Sequence, residues 1–114
     1  MSATEPDRWR LRHMIEACET IGQFVDGRQR CDLDTDRMLS FALLRAIEII
    51  GEATARLSPA FRSAYPDIPW SALIGMRNRL VHAYFDVDAD VLWTAVTVEV
   101  PVLLEALHRI GSSE

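Results

Sequence analysis

Hydrophobic residues recur along most of the chain at intervals of three and four positions, the spacing of one face of an α-helix. Four long segments show this pattern, and no segment shows the alternation typical of a β-strand. The predicted helices cover about residues 7–25, 32–57, 69–82 and 88–110, with a short helical turn at 59–64. The pattern therefore predicts an all-α bundle of four main helices plus a short helical turn.

Three details refine these helices. Asp32 or Asp34 can cap the second one, because a carboxylate accepts the free backbone N–H groups of a first turn. Pro101 lies inside the apolar pattern of the last helix and removes a backbone N–H, so a kink is expected near residues 97–100. Gly75, in the middle of the third helix, costs about 1 kcal/mol relative to alanine. It is expected to mark the close approach of another helix.

Composition places the chain among single soluble domains. With 114 residues, 49% hydrophobic and 25% charged, residues 1–114 are expected to form one domain. No run of 18 or more apolar residues is present and no secretory signal is visible, so a cytoplasmic protein without a membrane partner is expected. Cys18 and Cys31 have no CxxC spacing and are expected to be free thiols, with a disulfide as the alternative.

The net charge of −5 argues against broad affinity for nucleic acid, which requires concentrated cations. All 12 cationic residues are arginine, so a local phosphate site remains open; biased genomic base composition is the other explanation. Arg8, Arg10 and Arg12 crowd the first turns of the first helix, where the helix dipole disfavours positive charge. Either an anionic ligand compensates them, or they are solvated and paired with nearby acids.

The chemically richest stretch is Met76–Asp86, with the sequence MRNRLVHAYFD. On a helix, Asn78 and His82 would share a face, so the amide could orient the imidazole. Arg77 and His82 are five positions apart, about 140° around an ideal helix. They converge if the helix loosens, if the arginine side chain wraps back, or if a second copy of the chain brings the groups together.

Arginine and histidine together suit RNA cleavage without a metal or another cofactor. A neutral imidazole can take the proton of a ribose 2′-hydroxyl, and a guanidinium can stabilise charge on the phosphate oxygens. The products would be a 2′,3′-cyclic phosphate and a 5′-hydroxyl. A twofold dimer would supply a second histidine as general acid. A capping or core histidine is the alternative for His82, and helix capping accounts for Asp86, Asp88 and Asp90 better than a calcium loop.

A second charged line crosses the apolar second helix. Arg45, Glu48 and Glu52 share one face, flanked by large apolar residues. Charged groups enclosed by apolar neighbours need partners. The line is therefore expected either to be solvated with an Arg45–Glu48 pair, or to face the site of Arg77 and His82 as a supporting layer.

Several segments in this order resemble the HepT family, the DUF86 branch of HEPN domains. The match spans roughly residues 34–107, and the family's Arg-x4-His-x-Tyr motif falls on Arg77, His82 and Tyr84 without gaps. Asn78 matches the polar residue that often follows the arginine. The segments that carry the resemblance are Arg45–Ala53, Ile68–Trp70, Gly75–Asp88 and Val91–Trp93.

This resemblance implies a HEPN-like fold and a metal-independent endoribonuclease toxin of a type II toxin–antitoxin system. It implies a homodimer with the active cleft at its interface, tRNA or mRNA as the substrate, and Arg77 and His82 as catalytic residues supported by Asn78. It also implies a partner, an MntA-like nucleotidyltransferase antitoxin that transfers AMP from ATP to Tyr84. Bulky anionic AMP beside the cleft would repel RNA.

Two other hypotheses stay open. The chain could be a non-catalytic helical subunit that binds a minimal nucleotidyltransferase and assists its substrate binding. It could also be a purely structural dimer in which Arg77 and His82 pair with Glu48 or Glu52. Removing the imidazole of His82 would abolish a nuclease but would leave an accessory subunit largely intact.

Overall fold

The structure is a computed structural model that describes residues 4–81 and 86–113. Within these ranges the chain is helical apart from turns and one isolated antiparallel bridge between Val81 and Val87. The elements are α1 (Glu5–Val25), α2 (Asp32–Thr35), α3 (Arg37–Arg56), α4 (Pro59–Ala64), α5 (Trp70–Leu80), α6 (Ala89–Thr94), a π-helical turn (Ala95–Glu99) and α7 (Val100–Ser113). The predicted all-α class is confirmed.

The second predicted helix is two helices in the structure. Asp36 has an extended backbone and separates α2 from α3. Its carboxylate accepts a hydrogen bond from the Leu39 N–H at 3.1 Å, and this bond, aided by the Arg28 guanidinium, lowers the pKa of Asp36. The long helix is therefore capped by Asp36, and the prediction that Asp32 or Asp34 caps it is wrong.

The last helix carries its irregularity where Pro101 predicts one. The Val100 N–H bonds to the carbonyl of Ala95, five residues back, so the helix widens into a π turn between α6 and α7. Proline has no N–H and its ring clashes with the carbonyl four residues earlier, here that of Thr97. In the same turn, the Thr97 hydroxyl donates a hydrogen bond to the Trp93 carbonyl at 2.6 Å. The wider turn relieves the clash.

One continuous core joins α1, α3, α5 and the last helix. Six apolar residues of the second predicted helix recur at intervals of three and four positions, and all six are buried: Leu39, Leu43, Ala46, Ile50, Ala53 and Leu57. The continuous helix of residues 89–113 is long and apolar enough to cross a membrane on length and composition alone. A core helix passes the same test, and this one buries Leu92, Val96 and Leu107 against the other helices.

The close helix–helix approach occurs at Gly51 of α3, and not at Gly75. A Cβ atom on Gly51 would lie 3.3 Å from the carbonyl oxygens of both Leu73 and Ile74. A Cβ atom on Gly75 would meet nothing within 4 Å, so the prediction for that residue is wrong. Gly51 brings α3 against the backbone of α5, which sets the distance between the polar side chains one turn away.

Alanine at these two glycines is expected to have opposite effects. In Gly51→Ala the new methyl presses on helix carbonyls that cannot move alone, and such overpacking costs about 1–3 kcal/mol, partly offset by about 1 kcal/mol of better helix propensity. Gly75→Ala receives the propensity gain without the clash. Urea unfolding at one protein concentration should show Gly75→Ala to be the more stable by about 1–3 kcal/mol. Equal stabilities would contradict the packing at Gly51.

Candidate active site

The end of α5 and the start of α6 are held together by a short antiparallel contact. Val81 leaves the helix in an extended conformation and pairs with Val87. The Asp88 N–H donates to the Leu80 carbonyl at 2.8 Å, and the Asp88 carboxylate caps α6 by accepting the Val91 N–H at 3.1 Å. The described positions on either side of residues 82–85 therefore lie close together, directly after the last turn of α5.

His82 and Tyr84, the predicted base and the predicted modification site, lie outside the described residues. The prediction that Asn78 orients His82 along one helix face needed α5 to continue to about residue 82. Because α5 ends at Leu80 and Val81 is extended, the helical spacing stops short of that position. Asn78 lies exposed on the last turn of α5.

Arg77, the other predicted catalytic residue, lies within the described part of the chain. Its Nε lies 2.8 Å from Oε2 of Glu48 on α3 in an ion pair, and the two side chains are 35% and 34% exposed. The other carboxylate oxygen of Glu48 lies 3.1 Å from a terminal nitrogen of Arg45. That nitrogen also lies 3.3 Å from Oε1 of Glu52. The four side chains form one connected polar line across α3 and α5.

Helix packing explains why these four residues meet. Glu48 precedes Gly51 by three residues on α3, and Arg77 follows Ile74 by three on α5. Since the two helices are closest at Gly51 and Ile74, an antiparallel pair places Glu48 and Arg77 opposite one another one turn further along. The expectation that the charged line of α3 faces Arg77 agrees with this contact, and the predicted Arg45–Glu48 pair is present as well.

The ion pairs of this polar line orient the Arg77 side chain more than they stabilise the fold. Ion pairs this exposed contribute about 0–1 kcal/mol, so the Arg77–Glu48 contact adds little to the fold. Its geometric effect is larger, because Glu48 engages Nε and, among the described residues, no acceptor engages the two terminal nitrogens of Arg77. The hydrogen bond that Arg45 donates to Glu48 and the negative charge of Glu52 raise the pKa of Arg45. A guanidinium whose two terminal nitrogens have no protein acceptor among the described residues suits a phosphate.

A cavity lies elsewhere. It measures about 690 Å³ and lies between α5, α7 and the linker after α4, with Met76, Arg79 and Val102 in its lining. Arg79 follows Arg77 by two residues, which is about 200° around the helix, so the cavity and Arg77 are on different sides of α5. The cavity is separate from the polar line.

Comparison with known proteins assigns the family. The family model described as ribonuclease HepT-like matches residues 14–110. The chain belongs to the HepT-like family. Its all-α bundle is the HEPN-like fold that the sequence resemblance implied, and the matched region includes α3, α5 and the segment between α5 and α6.

Individual HepT-like relatives match over nearly their whole length. A protein of Thermococcus cleftensis named probable ribonuclease HepT is 42% identical over 102 residues, covering 88% of this chain and 91% of the relative. A candidate RNase of Caldanaerobacter subterraneus is 35% identical, covering 91% of this chain and 93% of that protein. Another, from Methanocaldococcus jannaschii, is 34% identical, covering 88% and 92%. No solved structure matches the chain significantly.

Proposed function

We propose that this HepT-like protein is a metal-independent endoribonuclease that acts as a toxin. The observation that carries the proposal is Arg77, whose Nε forms an ion pair with Glu48 at 2.8 Å while its terminal nitrogens have no protein acceptor among the described residues. The guanidinium lies on the last turn of α5, next to the segment that contains His82. The names of the HepT-like relatives support RNA as the substrate.

The reaction is an internal transesterification. His82 takes the proton of the ribose 2′-hydroxyl, and the 2′-oxygen attacks the adjacent phosphorus while the bond to the 5′-oxygen breaks. The terminal nitrogens of Arg77 stabilise the charge that develops on the phosphate oxygens. The leaving 5′-oxygen takes a proton from a general acid, which a second protomer supplies with its own histidine. One strand therefore ends in a 2′,3′-cyclic phosphate and the other in a 5′-hydroxyl.

Control of this activity is assigned to Tyr84. A small nucleotidyltransferase antitoxin would transfer AMP from ATP to the phenol oxygen, with pyrophosphate as the leaving group. The added phosphate is anionic, and the adenosine is bulky. Two residues from His82 in the chain, such a group would repel an RNA phosphate and occupy its space.

Induced expression of the wild-type chain is expected to stop bacterial growth and fragment cellular RNA, whereas His82→Ala and Arg77→Ala should do neither. Co-expressed nucleotidyltransferase should restore growth and add the mass of one AMP group to the protein. Tyr84→Phe should block that addition, and Tyr65→Phe, at the chain's other tyrosine, should not. If wild type and His82→Ala behave alike, the chain is an accessory subunit of the nucleotidyltransferase and the nuclease proposal fails.

A further inference from the structure

A half-exposed tryptophan lies among cations on the first turns of α1. Trp9 is 52% exposed. The guanidinium carbon of Arg12 lies 5.6 Å from the centre of its ring, and the ring of His13 meets it edge-on at 5.8 Å. An exposed indole fixed by its neighbours offers a flat surface on which another ring can stack.

Beside this ring runs a groove between α1 and α3, called the α1–α3 groove below. Its volume is about 320 Å³. Its lining comprises Trp9, Arg10, His13, Ile49, Glu52, Ala53 and Arg56. The groove thus combines an aromatic face, two arginines from different helices and a short apolar floor.

The arginines of this face lack the acidic partners that would neutralise them. Among the described residues, no carboxylate lies within ion-pair distance of Arg8, Arg10, Arg12 or Arg56. Asp7 forms no direct ion pair with them, because it is buried and accepts hydrogen bonds from the backbone N–H and the hydroxyl of Ser58 at 2.8 and 2.7 Å. Burial raises the pKa of Asp7, but its hydrogen bonds, together with the nearby charge of Arg10, lower it overall.

The one carboxylate in the groove lining is also engaged. Glu52 lies 3.3 Å from Arg45, so its charge is shared with a cation outside the groove. Local positive charge therefore exists on a chain whose net charge is −5. Arg10 donates to the Pro6 carbonyl at 3.2 Å, but a cation without a carboxylate partner can bind an anion without first losing an ion pair.

We propose that the α1–α3 groove binds single-stranded RNA, with a base stacked on Trp9 and phosphates held by Arg10 and Arg56. The inference rests on the proposed function for its role, because it makes the groove part of the track that leads substrate to Arg77. Glu52 lines the groove and lies one helical turn, about 6 Å, from the Glu48 that holds Arg77. A strand of a few nucleotides can span both places.

Single-stranded RNA fits this groove better than a duplex does. A paired base keeps its faces stacked within the helix, whereas an unpaired base can lie on an exposed aromatic ring. Because any base can stack on an aromatic ring, we also expect only a weak sequence preference at this position.

The test measures binding of a fluorescently labelled single-stranded oligouridylate by anisotropy across a series of salt concentrations. In the His82→Ala background, which keeps the RNA intact, Trp9→Ala is expected to weaken binding by about tenfold, and Trp9→Phe should restore most of it. Replacing Arg10 and Arg56 together with glutamine should lower the slope of log affinity against log salt by about 1.4, or 0.7 per lost phosphate contact on a single strand.

Matched controls lie outside the groove. Phe24→Ala removes another exposed aromatic ring from α1 (Phe24 is 38% exposed), and Arg109→Gln removes one exposed cation near the C-terminus; neither should change binding. Unchanged affinity in Trp9→Ala would overturn the inference even if the protein cleaves RNA. A change of oligomeric state in Trp9→Ala, seen by sedimentation, would also overturn it, because the face would then be a contact between copies. Trp9-dependent binding by a wild-type protein that cleaves nothing would refute only the proposed function.

Discussion

Replacing His82 with alanine is expected to lower the rate of RNA cleavage by about 10²- to 10⁴-fold, the usual contribution of a general base. The remaining activity reflects binding and charge stabilisation by Arg77. The wild-type rate should pass through a maximum as the pH rises, because one imidazole must be neutral to accept the proton while the imidazole of the second protomer must be protonated to donate one. Single-turnover cleavage of a labelled RNA across a pH series measures both effects.

The matched control for this variant is His108→Ala, which removes an exposed histidine of α7 far along the chain from the motif. It should cleave at the wild-type rate. If His82→Ala cleaves RNA as fast as His108→Ala does, His82 is not the base, and the assignment of the motif falls with it.

Arg77→Ala is expected to reduce cleavage by about 10²- to 10³-fold, the typical cost of losing one preorganised donor to developing negative charge. Arg77→Lys should recover only part of this, since an ammonium keeps the charge but not the two parallel N–H groups. The free energy of unfolding should fall by less than about 1 kcal/mol, because the Arg77–Glu48 pair is exposed. Cleavage rates and urea unfolding of the same preparations separate the two effects.

Arg79→Ala is the control, because Arg79 lies on another side of α5 with only a 3.9 Å contact to Glu99. Glu48 gives the sharper distinction from a purely structural pair. Glu48→Gln retains an oxygen that can accept from Arg77 Nε, so it should lose less activity than Glu48→Ala. If Arg77→Ala instead strongly lowers the free energy of unfolding, while the protein that stays folded cleaves RNA at the wild-type rate, the Arg77–Glu48 pair is structural.

Periodicity along the chain was sufficient to locate the helices, because each one buries a single stripe in the common core. It could not locate the break at Asp36, since a single extended residue separates two helices whose apolar spacing runs on. It also gave no means of choosing between Gly51 and Gly75. Both weaken a helix equally by propensity, and only the packing of α3 on α5 shows which one faces a backbone.

The site was partly predictable for the same reason. The spacing of Arg45, Glu48 and Glu52 placed them on one face of a helix, but their contact with Arg77 depends on the approach at Gly51, a contact distant in sequence. The end of α5 at Leu80 depends on the pairing of Val81 with Val87, which local spacing does not encode. Trp9 and Arg56 lie on different helices, so the sequence alone could not bring them together.

The most direct test of the central claim is the chemistry of the cleaved ends. Purified protein is incubated with RNA in the presence of EDTA, and the fragment ends are identified by enzymatic labelling and mass spectrometry. Transesterification by Arg77 and His82 predicts 2′,3′-cyclic phosphate and 5′-hydroxyl ends from the wild type, and about 10²- to 10³-fold slower formation of the same ends by Arg77→Ala. Fragments with 3′-hydroxyl and 5′-phosphate ends, or cleavage at the wild-type rate by Arg77→Ala, would contradict it.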